Sequence, residues 1–159
     1  LFVVNEMKKA GQLPADLVVK VSVSMGPANP VSIYQMQMMG ANTFNVPSSL
    51  TLPKLGAIRE AVDIPLDIYV ESPDDFGGAI RFYEIPEIVR VVSPVYVKFG
   101  LRNAANVYPS GKHIEDIAVA QCREKVRRAA LGFELLRRYY PEAVISKPGA
   151  AGLAVPKPR

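Results

Sequence analysis

Apolar and polar side chains alternate one for one along four stretches of this chain. In residues 17–24 the odd positions Leu17, Val19, Val21 and Val23 are apolar, and the even positions include Lys20, Ser22 and Ser24. In Leu66–Glu71 the even positions Leu66, Ile68 and Val70 are apolar, and the odd ones are Asp67, Tyr69 and Glu71. Val95, Val97 and Phe99 oppose Tyr96 and Lys98, and in residues 42–46 Phe44 and Val46 oppose Thr43 and Asn45. A period of two predicts strands with one oily and one polar face. Helical patterns separate them: residues 1–10, ended near Gly11; 31–39, stopped by Gly40; 51–62, with Pro53 in the first turn; and 80–92, interrupted or restarted at Pro86. The longest helix is predicted over residues 112–140. Its apolar stripe is Ile114, Ala118, Cys122, Val126, Ala129, Phe133, Leu136 and Tyr140, spaced three and four apart. Residues 143–146 are expected to add a short fifth strand.

Strands alternating with helices pair in parallel. In an open, doubly wound sheet such strands are covered on both faces and read as continuous apolar runs. These do not: one face meets helices and the other meets something polar, as in barrel strands whose inner face builds a site. The expected fold is α/β, with parallel βα units forming about half of a (β/α)8 TIM-type barrel of four to five strands over residues 1–146. A Pro-, Gly- and Ala-rich tail follows over 147–159. A closed barrel takes roughly 250 residues, and this chain has 159. Three arrangements stay open: a half-barrel that dimerises to close, the C-terminal half of a barrel whose other half is a separate segment, or an open sheet with one wet face. Leu1 in place of an initiator Met favours the second. Unpaired edges and an exposed polar hollow lead us to expect an obligate partner, either in a homo-oligomer or as a second half-barrel chain.

Composition narrows the function classes. Hydrophobic residues make up 49% and charged residues 21%, a globular balance and not a disordered one. No apolar run approaches the ~20 residues that cross a bilayer, so no membrane partner is expected. Residues 1–10 carry Glu6, Lys8 and Lys9 and read as a helix, not a signal peptide. The single cysteine, Cys122, excludes an internal disulfide and suits a cytoplasmic location. Its place on the helical stripe predicts a buried small hydrophobe. The net charge is +4. Its basic residues, Arg123, Lys125, Arg127, Arg128, Arg137, Arg138, Lys157 and Arg159, are interspersed with Glu115, Asp116, Glu124 and Glu134 and lack aromatic interleaving. A solvated helix face is expected, with no nucleic-acid partner.

Barrel sites lie at the C-terminal ends of the strands. Those ends carry Lys20, Ser22 and Ser24; Asn45 and Ser48; Glu71 and Ser72; and Lys98, Arg102 and Asn103. Lys20, Glu71 and Lys98 are the candidate catalytic residues, with Glu71–Lys98 the expected ion pair because their strands are neighbours. Either lysine suits a carboxylate or phosphate, or forms an imine, and Glu71 suits general acid/base work. Ser22, Ser24, Asn45, Ser48, Arg102 and Asn103 are the candidate substrate contacts. The plainer alternative is an ion pair that fills the lumen. Glu71, Asp74 and Asp75 gather carboxylates that a hard cation such as Mg²⁺ accepts, but adjacent acidic loop residues are more often solvated turn formers, and no cofactor is expected. Asp75-Phe76-Gly77 spells the kinase metal-binding triplet with nothing else of a kinase around it. His113, the only histidine, follows Ser110-Gly111-Lys112 at the start of the long helix and reads as solvated.

The run Met39-Gly40-Ala41-Asn42-Thr43-Phe44-Asn45-Val46, with Leu50-Thr51-Leu52 and Ile64-Pro65-Leu66, resembles the phasing of (β/α)8-barrel enzymes. The resemblance covers residues 15–100. It is weakly similar to the barrel of the U32 peptidase-like family, in which a strand like Leu66–Glu71 follows a comparable helix. The cysteine-containing stretch that follows this strand in that family has no counterpart in residues 72–78, so no catalytic residue is carried over. The leading expectation is the site-bearing half of a metabolic enzyme that acts on a small anionic molecule by lyase or isomerase chemistry. The alternatives are a non-catalytic subunit or interaction module and, more distantly, a peptidase.

Overall fold

All four alternating stretches enter one parallel sheet in the computed structural model, which describes residues 1–154. The strands are β1 (Lys20–Val21), β2 (Thr43–Asn45), β3 (Leu66–Glu71) and β4 (Val95–Phe99), in spatial order β1-β2-β3-β4. The helices are α1 (Phe2–Lys9), α2 (Pro30–Met38), α3 (Leu52–Ala61), α4 (Ile85–Val92) and α5 (Glu115–Tyr139). The order advances in one direction, without the reversal that marks a doubly wound sheet. Lys157 and Arg159 lie outside the described residues. No described helix is long and apolar enough to cross a membrane.

Local chemistry sets the helix starts. Asn29 caps α2 by accepting the Ser32 N–H at 3.0 Å, and Pro30 follows where a missing N–H costs nothing. Pro86 likewise occupies the first turn of α4, after a short 3₁₀ turn at Phe82–Glu84, which accounts for the predicted restart. The oily strand positions Phe44, Leu66, Ile68 and Val70 are buried with Ile33, Leu55, Ile58, Ile88 and Val92 of the helices. Each such side chain contributes about 1.5–3 kcal/mol relative to exposure. Arg81 clips the loop after β2 to the chain after β3: its Nη1 donates to the carbonyls of Ser48 at 2.8 Å and Leu50 at 2.7 Å.

Three expectations change at the ends of the sheet. β1 is only two residues long, and Leu17 and Val18 ahead of it are exposed. Residues 143–146 form no strand, and Val144 is 92% exposed. Of the predicted α5 stripe, Leu136 is buried and Tyr140 packs against the core, but Val126 is 71% exposed and Cys122 is exposed. The helix comes close to β4 at Gly132, where a Cβ would stand 2.7 Å from Cζ of Phe99. Beyond β4 the described residues supply no further strand for the first half of the stripe to cover.

Candidate functional site

The polar face of the sheet carries Lys20, Thr43, Asn45, Asp67, Tyr69, Tyr96 and Lys98. Register brings them into rows: Lys20 beside Thr43, Asn45 and Tyr96 on either side of Asp67, and Tyr69 beside Lys98. Asp67 is wholly buried. Lys20 Nζ donates to its Oδ1 at 2.5 Å, and Thr43 Oγ1 donates to its Oδ2. These bonds replace the water the carboxylate loses, without which burial of the charge would be prohibitive. Lys20 Nζ also lies 5.1 Å from the centre of the Tyr96 ring. Burial, and then the negative charge of Asp67, hold the Tyr96 phenol above its ordinary pKa. The protonated hydroxyl donates to the Leu153 carbonyl at 2.7 Å.

Lys98 is held differently. Its Nζ stands 4.2 Å from the centre of the Tyr69 ring. The neighbours of Asn45 orient its amide so that Oδ1 accepts from Lys98 Nζ at 3.2 Å and the amide nitrogen donates to the Asp67 carbonyl, also at 3.2 Å. No carboxylate among the described residues lies within ion-pair distance of Lys98. A ring quadrupole and an amide dipole orient this ammonium without neutralising it. Of the two lysines, Lys20 has its counter-ion and Lys98 does not.

Glu71 departs from the predicted pairing with Lys98. The ladder between β3 and β4 slips between Tyr69 and Glu71, so that Glu71 stands beside Phe99. A bulge of this kind re-aims the side chains that follow it. Glu71 turns towards α5, where Arg128 Nη1 donates to both of its oxygens at 2.6 Å and the Arg102 N–H donates to one at 3.2 Å. The carboxylate on the polar face is Asp67. The alternation already placed Asp67 there, but the emphasis on the C-terminal strand ends passed over the second residue of β3.

The remaining candidates divide between a cleft and the loops around it. A cleft of about 180 Å³ opens above the C-terminal ends of β1–β3, lined by Val23, Ser24, Pro47, Ser48, Phe76 and neighbouring residues. Ser48 is buried, with Oγ 3.5 Å from Ser72 Oγ, and Ser72 Oγ accepts the Ala79 N–H at 2.8 Å. The Phe76 ring stacks on Tyr69 with centres 6.2 Å apart, so one wall of the cleft adjoins the aromatic ring beside Lys98. Ser22 Oγ accepts the Ser24 N–H at 3.2 Å and caps a 3₁₀ turn. Arg102 and Asn103 face the loop after β3: Arg102 Nε is 3.4 Å from Asp74 Oδ1, and the Asn103 N–H donates to Asp74 Oδ2 at 2.7 Å. With Glu71 on Arg128 and Asp74 on these two residues, the carboxylates weighed for Mg²⁺ do not converge. No group of three metal-ligating side chains is assembled among the described residues. Comparisons with protein-family models, curated proteins and solved structures find no match.

Proposed function

We propose that the chain is the site-bearing half of a TIM-barrel-type metabolic enzyme that binds a small anion at Lys98 and acts on it by lysine-centred lyase or isomerase chemistry. The observation that carries this reading is an oriented ammonium without a counter-ion beside a second lysine that has one. In the imine version, the Lys98 ammonium docks the anion and then gives a proton to water, its amine adds to the carbonyl carbon of an oxo acid, and the iminium that results keeps the positive charge beside the carboxylate. The carbonyl oxygen takes up protons and leaves as water, and a C=N bond remains. Asp67 and Thr43 hold Lys20 as the neighbouring positive charge. Glu71, committed to Arg128, takes no part. In this reading the polar face is the inner wall of a barrel, closed by a second copy or a second half-barrel chain. The lone free thiol of Cys122 suits a reducing cytoplasm.

Borohydride reduction in the presence of pyruvate tests the imine. The expected result is one reduced adduct that maps to Lys98 and disappears in Lys98→Met. No adduct, or adducts at surface lysines only, removes the imine. A second reading, a non-catalytic subunit or interaction module, draws on the apolar side chains left bare at both ends of the sheet, among them Val18 and Val126. It predicts no adduct and a change of assembly in the Lys98 variant. A peptidase has little to draw on, because the only cysteine, Cys122, is exposed on α5 beside Ala118, Val119 and Val126, none of them a residue of the polar face.

A further inference from the structure

Beyond the Lys98 reading and independently of it, we infer that the cleft above β1–β3 binds a small uncharged molecule with an apolar body and one hydroxyl or carbonyl group, which hydrogen-bonds to Ser48 Oγ. Neither Lys98 nor Tyr69 lines this cleft.

The hydroxyl of Ser48 carries the inference. Ser48 lines the cleft and is only 8% exposed. Its Oγ finds Ser72 Oγ and the Phe76 carbonyl, each at 3.5 Å. Hydrogen bonds between oxygens run about 2.5–3.0 Å. Ser48 Oγ is thus removed from water without a full-strength partner, which is a costly state for a polar atom. Ser72 Oγ is already engaged, since it accepts the Ala79 N–H at 2.8 Å. A ligand oxygen in the cleft supplies the missing partner.

The walls are built before any ligand arrives. The loop that carries Phe76 is closed at its neck, where the Ser72 N–H donates to the Ala79 carbonyl at 3.0 Å and Ser72 Oγ takes the return bond. Arg81 pins the turn of Pro47 and Ser48 through the Ser48 and Leu50 carbonyls. Ser22 Oγ caps the turn that carries Val23 and Ser24. A pocket held this way needs little ordering on binding.

The lining sets the ligand class. Val23, Pro47, Phe76 and Ala79 are apolar, and among the described residues no charged side chain lines the cleft. Arg81, which reaches the Ser48 carbonyl, is paired with Glu84 at 2.7 Å. A charged ligand would lose water here and meet no counter-charge, whereas a neutral one would not. The cleft measures about 180 Å³. A cavity of ~150 Å³ accommodates benzene, so the body is about one six-membered ring in size.

Titration of the isotope-labelled full chain with phenol, toluene and benzoate, followed by amide and side-chain NMR shifts, tests the inference. Phenol is expected to bind in the millimolar range and to move the resonances of Ser48, Phe76 and Ala79. Ser48→Ala is expected to weaken phenol about three- to tenfold, the worth of one neutral hydrogen bond, and to leave toluene unchanged. Benzoate is expected to leave the cleft resonances in place. Ala79→Leu, and Ser49→Phe at an exposed position of the rim, narrow the cleft from different walls. Each is expected to abolish the phenol shifts in a chain whose spectrum stays folded. The inference is overturned by the absence of phenol shifts at the cleft, by benzoate binding there as tightly as phenol, or by phenol shifts that survive both narrowing variants. An unchanged phenol affinity in Ser48→Ala, or an equal loss of toluene, overturns it as well. None of these outcomes alters the borohydride test of Lys98.

Discussion

Glu71 is a carboxylate removed from water, and its charge is met by the Arg128 guanidinium at 2.6 Å and the Arg102 amide at 3.2 Å. Removing one partner of such a pair leaves a buried charge uncompensated. Arg128→Met is therefore expected to destabilise the fold by roughly 3 kcal/mol, the lower end of the usual range because Arg128 is partly exposed. Adding Glu71→Gln to the same chain removes the orphaned charge and should recover part of that loss. Urea unfolding of the two variants measures both effects. A single variant as stable as the parent would show that the pair contributes nothing. Lys98 is the opposite case. It has no carboxylate partner, so Lys98→Met leaves no charge stranded and should change stability by only about 1–2 kcal/mol, from the lost ammonium–ring contact and the hydrogen bond to Asn45 Oδ1. A residue whose loss costs little stability but abolishes binding would be a site residue, and on the proposed reading Lys98 and Arg128 are expected to separate on that measure.

In α5 the acidic and basic side chains are arranged along the helix. Glu124 accepts from Arg127 Nε at 2.8 Å and Nη2 at 2.7 Å, and from Arg128 Nε at 2.8 Å. Hydrogen bonds from these two arginines lower its pKa from 4.5 to about 2. A group whose pKa is depressed in the folded state adds stability above its unfolded value and loses it as pH falls through the folded value. The contribution of Glu124 is thus complete above about pH 4.5 and gone below about pH 2. Unfolding measured between these limits should show a steeper loss for the parent than for Glu124→Gln, and added salt should reduce the difference because the cluster is exposed. Identical slopes would show that the cluster contributes nothing. The loss should extend to the Glu71 contact, because Arg128 bridges both carboxylates.

The sheet ends with apolar surface bare on both sides: Leu17 and Val18 ahead of β1, and Val119 and Val126 on α5 with Val144 after it. β3 is almost wholly buried, whereas every residue of β4 is only half-buried, as an edge strand is. Under the proposed closure, β4 of one chain pairs with β1 of a second, and the two copies together supply the eight strands of a barrel. The expected mass in solution is twice the 17.4 kDa of the chain. Val126→Asp, at a position 71% exposed, should shift the population towards single chains without altering the far-UV circular dichroism. A single-chain mass at every concentration tested would exclude self-closure.

Much of this architecture is legible in local pattern. Alternation located the four strands, separated Lys20, Asn45 and Lys98 from the oily positions, and with the intervening helices implied parallel pairing. Pro53 and Pro86 marked helix starts because a residue without an N–H fits only there, whereas Pro30, read as part of the preceding loop, proved to open α2. Parity says which face a residue takes only while the ladder is regular. The slip between Tyr69 and Glu71 belongs to the joint pairing of β3 and β4, and no property of β3 alone announces it. Helical spacing likewise identified an apolar stripe on α5, but whether Cys122 and Val126 are covered depends on what stands beyond β4. The lack of a counter-ion at Lys98 has the same origin: Asp67 and Glu71 were both within reach in sequence, and packing gave one to Lys20 and the other to Arg128. Alternation is a property of one segment and is written along it, whereas register, cover and charge pairing are properties of two segments in contact and arise only when the chain folds.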